Sequence, residues 1–137
     1  MNPTIKNILA VVVGLVVGGL LNESPIMLGP HIIPPPPGAI LTTPEGLKAA
    51  MAIMAPKHFL FPFLAHALGT LLGAIIAAKL AASKQLIMAM IVAGCFFIGG
   101  ATMVAMLPTA PIWFDALDLI VAYFPMGYSG FKLMEKK

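Results

Sequence analysis

Four long apolar runs, at residues 5–21, 58–80, 86–107 and 114–131, occupy most of this 137-residue chain. A helix needs about 20 apolar residues to cross the hydrocarbon of a bilayer, and each run reaches or approaches that length. Such runs make lipid the solvent. Backbone N–H and C=O groups in lipid must pair within their own segment, so each run is expected to be a helix. The alternating polar and apolar positions of a membrane β-barrel strand are missing. Composition agrees. The chain is 60% hydrophobic and 9% charged, where a soluble domain carries about 25% charged residues, and its mean hydropathy is +1.00. One integral membrane domain over residues 1–137 is expected, an all-α bundle of four transmembrane helices.

Lys6 and the apolar stretch after it imitate a signal peptide. The stretch is long for one, and no A-x-A-like site accompanies Asn22-Glu23-Ser24-Pro25. It reads as an uncleaved first span. Lysine then sets the threading. Lys6 precedes the first run, Lys79 and Lys84 lie between the second and third, and Lys132, Lys136 and Lys137 follow the fourth. The opposite side holds only Lys48 and Lys57, with Glu23, Glu45, Asp115 and Asp118. The positive-inside rule therefore puts both termini in the cytoplasm.

The net charge of +3 is all lysine, and the chain has no arginine. Scattered lysines without interleaved aromatics make no nucleic-acid surface. Arginine's planar fork for carboxylate and phosphate is missing too. The single cysteine, Cys95, allows no intrachain disulfide and no CxxC centre; it is expected to be a small buried packing residue.

Residues 22–57 form the one large segment between runs, an outer loop. Four consecutive prolines, Pro34 to Pro37, favour a stiff polyproline strut. Thr43-Pro44-Glu45 then reads as a helix start: an N-cap hydroxyl, a proline at the first position and an acid at the positive end of the dipole. A short helix over 44–55 follows, with Leu47, Met51 and Met54 on one stripe, lying on the outer membrane surface or capping the bundle. Pro56 should end it, and Pro62 should kink the second span. Trp113, Phe114 and Tyr123 suit interfacial anchoring.

Glycines mark helix contacts. Gly14 and Gly18 form a GxxxG in the first run, Gly69 and Gly73 another in the second. Small residues let membrane helices approach closely. Either packing inside the bundle or a homodimer through the Gly14/Gly18 face satisfies the pattern.

Ionisable side chains in a span are functional candidates because they are costly there. His66 lies mid-run, with Thr70 one turn later. Asp115 and Asp118 open the fourth run on one face. His58, Asn22 and Glu23 lie toward the same outer end. A His66–Asp118 pair would serve as a proton relay, a polar ligand site or a structural interhelical bond. Asp115 is accounted for by the dipole of its helix, and His31 by a solvated loop. Zinc needs three or four ligands; His58 and His66 are eight residues apart and make no adjacent pair. No metal, cofactor or catalytic residue is indicated.

Pro56-Lys57-His58-Phe59, Ala65-His66-Ala67-Leu68-Gly69-Thr70, Pro111-Ile112-Trp113-Phe114-Asp115 and Pro125-Met126-Gly127-Tyr128 together resemble small bacterial four-span membrane proteins with no named activity. The resemblance covers the whole chain and implies a bacterial inner-membrane protein. Small multidrug exporters carry a glutamate within the first helix, membrane glutathione transferases rely on arginines, and quinone-linked thiol oxidases need paired cysteines. This chain lacks all three features. The expected role is a non-catalytic accessory or structural membrane component, with the bilayer and a homo-oligomer or larger membrane complex as partners. The alternatives are a small oligomeric transporter or channel using His66 and Asp118, and an enzyme acting on lipid or quinone.

Overall fold

A computed structural model describes residues 1–135; Lys136 and Lys137, counted above for orientation, lie outside them. Regular structure in the described residues is entirely helical. Three helical segments are long and apolar enough to cross a membrane: α1 (Pro3–Ile32), a 3-10 turn (Pro56–Phe59) running into α3 (Leu60–Leu80), and α4 (Gln85–Met106). A short helix, α2 (Pro44–Met51), lies between α1 and the turn.

The first span is longer than expected. Asn2 caps it by accepting from Thr4 N–H, and Pro3 takes the first helical position. The helix then continues past residue 21 to Ile32, so the loop expected from residue 22 starts eleven residues later. Pro25 and Pro30 remove the donors for Leu21 and Ile26 carbonyls, yet the helix persists. Its far end is held by docking: a Cβ built on Gly29 would come 2.8 Å from Phe61 Cβ. At 1.5 Å per residue α1 is about 45 Å long, beyond the roughly 30 Å of bilayer hydrocarbon.

α1 packs more extensively on α3 than on any other element. The two glycine pairs face each other there. A Cβ on Gly14 would lie 2.6 Å from Gly73 O, and one on Gly18 2.5 Å from Gly69 O. The reverse contacts, Gly69 to Gly18 O and Gly73 to Gly14 O, are 2.8 and 2.7 Å. The backbones thus touch where side chains would normally intervene. Ala10, Ala77, Ala81, Met88 and Val92 continue this core toward the α3–α4 turn. Asn7 closes that end. Its Oδ1 accepts from Ala82 N–H (2.8 Å) and Ser83 N–H (3.3 Å), and its Nδ2 donates to Ser83 Oγ (3.2 Å).

The fourth apolar run is two helices, α5 (Ile112–Val121) and α6 (Phe124–Glu135), rather than one. Pro125 has no N–H to donate to Val121 O, and this interrupts the ladder at Ala122-Tyr123. In the first turn of α6 the same proline is tolerated. Gly127 lets α6 approach Ala93 of α4, and Gly130 lets it approach Leu71 O of α3.

Other expectations need correction. Pro62 sits in the first turn of α3, where helical N–H groups lack partners anyway, rather than in the interior of the helix. α2 stops at Met51, four residues early, though Thr43 caps it as expected by accepting from Gly46 N–H at 3.0 Å. Cys95 is exposed, on the face of α4 that also carries the exposed Ile91 and Ile98. Its small size does not decide its side of the helix; its phase does. The proline run ends in a turn in which Ala39 N–H donates to Pro36 O (3.0 Å), and Gly38 takes φ +80°.

Gly18→Ala should destabilise the protein by about 1–3 kcal/mol, the usual cost of overpacking. Gly19→Ala, with no atom within 4 Å of its new Cβ, should change stability little. Thermal unfolding of both variants in detergent checks this; equal melting temperatures would refute the close contact.

Candidate functional site

Asp118 is the one acidic side chain buried among the described residues, 3% exposed, near the end of α5. A carboxylate in such surroundings persists only if its oxygens are hydrogen-bonded. Two donors meet it. His66 Nδ1–H, from α3, lies 2.8 Å from Oδ1 and 2.9 Å from Oδ2. Tyr123 O–H, from the α5–α6 break, donates to Oδ2 at 3.1 Å. An ionised carboxylate only accepts, so this geometry puts the His66 proton on Nδ1. The Nε2 lone pair is left without a partner among the described residues.

The surroundings hold all three groups. The His66 and Tyr123 rings stack with centroids 5.8 Å apart and planes 26° from parallel. Phe97 meets Tyr123 edge-on at 5.9 Å. Phe63, Leu119 and Met126 pack around Ala67, Ala122 and Tyr123. Gly100 of α4 makes the remaining space: any Cβ there would collide with the Tyr123 hydroxyl. Asp118 and Tyr123 are five residues apart, too far round an unbroken helix to meet. The break that Pro125 causes turns the tyrosine back onto the carboxylate.

Tyr123 is therefore not an interfacial anchor; it is 2% exposed and hydrogen-bonded within the bundle. The available signal was Pro125, which interrupts the helix next to an aromatic residue carrying a hydroxyl. Phe114 is likewise buried, against Phe59, while Trp113 stays half exposed.

The other candidate residues do not join the cluster. Asn22 lies inside α1 and packs against Gly69, whose added Cβ would come 3.0 Å from Asn22 Cβ. Glu23, also within α1, is exposed. Asp115 is half-buried in the first turn of α5. His58 is fully engaged elsewhere: Nδ1 accepts from Ala55 N–H and Nε2–H donates to Pro34 O, both at 2.9 Å. It ties the proline segment to the 3-10 turn. His31 is exposed in the last turn of α1, not in a loop. Thr70, one turn from His66, is 1% exposed, and its Oγ1 has no hydrogen-bond partner. Among the described residues no three His, Cys, Asp or Glu side chains come together as a metal site.

At the end away from the α3–α4 turn, α1, the proline segment, α2 and the 3-10 turn line a half-open cavity of about 460 Å³. Leu47, Met51 and Met54, the expected apolar stripe, line it. Thr109 Oγ1–H donates to Lys48 O at 2.5 Å and pins α2 across the α4–α5 link.

Comparison with known proteins gives no family: no family model matches the chain, and neither a curated protein nor a solved structure is significantly similar to it.

If His66 and Asp118 act as a pair, His66→Ala combined with Asp118→Asn should cost little more than either change alone. Coupling energies of such bonds in membrane helices average about 0.6 kcal/mol and reach about 1.7. A double-mutant cycle on thermal stability in detergent measures it, and strictly additive losses would argue against the pair.

Proposed function

We propose that the chain is a small multi-pass protein of the bacterial inner membrane, acting as a non-catalytic accessory or structural component. In this reading α5 and α6 together make a fourth crossing, and both termini are cytoplasmic. The lysine distribution supports that orientation.

The observation that carries the proposal is the breadth of outward apolar face. On α1, Ile5, Ile8, Leu9, Val12, Val13, Val16 and Leu20 are all exposed; on α4, Ile87, Ile91, Ile98, Met103 and Met106 are. Such faces suit lipid, and they equally suit helices of another subunit or a second copy. The glycine motifs of α1 and α3 are spent on each other, so a homodimer would use the outer faces rather than Gly14 and Gly18. Within the bundle the buried carboxylate is answered by two donors.

Cross-linking in native membranes tests this. Val12→Cys on α1 and the native Cys95 on α4 both present a thiol on these faces. Each should cross-link to one defined partner or to a second copy, which should also co-purify in fixed ratio. A monodisperse monomer with no cross-link from either position would overturn the accessory role.

A second reading, a small transporter or channel, rests on a specific observation. The His66 side chain keeps 22% of its surface exposed, with Nε2 unpartnered, and the Thr70 hydroxyl beside it is buried without a bond. Unsatisfied polar atoms at membrane depth suit a passing proton or a polar ligand. Proteoliposomes loaded with a pH-sensitive dye should then show proton flux that His66→Ala abolishes. Flux no faster than in protein-free vesicles would set this reading aside.

A further inference from the structure

We propose that the outer cavity is a binding site for one acyl chain of a membrane lipid. The cavity, about 460 Å³, falls within the roughly 300–1,000 Å³ typical of small-ligand sites. Its walls are side chains of Met27, Leu47, Met51, Met54, Phe59 and Phe61, with prolines between them. No carboxylate or lysine lines it, so it offers nothing to a nucleotide, a sugar phosphate or a metal ion. His58, although part of the wall, has both ring nitrogens committed to Ala55 N and Pro34 O. That leaves His31 and Thr42 as the polar side chains free to meet a head group.

The occupant follows from location and chemistry. The cavity lies between the last turns of α1 and the first turn of α3, where an apolar helix leaves the hydrocarbon. The apolar molecule most concentrated at that level is the lipid chain itself. Methionine's unbranched thioether adapts to irregular and kinked shapes, and three methionines suit a chain of variable unsaturation. The contacts that hold the walls together, Gly29 on Phe61 and His58 on Pro34, leave the interior unfilled.

The sole tryptophan reports on this site. Trp113 packs edge-on against the cavity wall, its ring 5.8 Å from that of Phe59. Bromine on a lipid chain quenches tryptophan only at short range. The full-length protein in detergent micelles is titrated with dibrominated stearic acid in one arm and dibrominated phosphatidylcholine in the other. Quenching should saturate at one chain per protein, and unbrominated lipid should reverse it. Saturation in the first arm alone assigns a free fatty acid, and saturation in the second assigns a phospholipid chain. Leu47→Phe with Met51→Phe fills the cavity and should weaken binding roughly tenfold or more, since single methylenes carry such factors in apolar pockets. Thr42→Phe, at an exposed loop position, should do the same without disturbing the helices. Quenching that rises linearly with lipid in every variant, or saturates without responding to either filling change, would overturn the proposal.

Discussion

The contact between the α1 and α3 backbones is what the rest of the structure is built on. In lipid, helices gain little from hiding apolar surface, because the lipid is as apolar as the partner helix. Association depends on close packing. Four glycines, two from each helix, remove the side chains that would hold the axes apart. α3 then serves as the central post. It carries α1 on one side, α4 and α6 on others, and His66 on a fixed face. The core around it is largely alanine, with Ala65, Ala74, Ala77, Ala78 and Ala89 all inaccessible.

The polar cluster rests on that frame and shows how costly a buried acid is to accommodate. Asp118 is kept by two donors from different elements, and both arrive by unusual means. His66 comes from mid-helix, where its ring is braced by stacking on Tyr123. Tyr123 comes from a helix interruption and reaches the carboxylate through space that Gly100 vacates. Proline, glycine, tyrosine, histidine and aspartate thus act as a unit although they are drawn from three segments of the chain. Orienting Nδ1–H toward the acid leaves Nε2 as the group with unused hydrogen-bonding capacity.

At the opposite end from the Asn7 clamp, the proline-rich segment does structural work of a different kind. Polyproline backbone offers carbonyls but no N–H, and His58 uses one of those carbonyls to anchor the segment. α2 is pinned by a single threonine hydroxyl. Walls held at their edges by polar bonds and left unpacked in the middle make a cavity.

The apolar runs and the glycine spacing were legible in the chain, because length, hydropathy and a four-residue period are local properties. So was the Thr43 cap. The pairing of His66 with Asp118 could be read as a geometric opportunity, since each sits on a predictable helix face. What the sequence by itself determined is a chain of apolar helices; of the four runs it offered as crossings, three form helices long and apolar enough for a membrane, and the fourth is divided into α5 and α6. Tertiary structure decided the rest. It carried α1 through two prolines to Ile32, because docking Gly29 on Phe61 outweighs the missing bonds. It turned Cys95 outward and Tyr123 inward, because which face of a helix is covered depends on neighbours that no local window contains. It matched the glycine pairs to each other rather than to a second copy, because complementarity is a property of two surfaces brought together, and a single helix records only one of them.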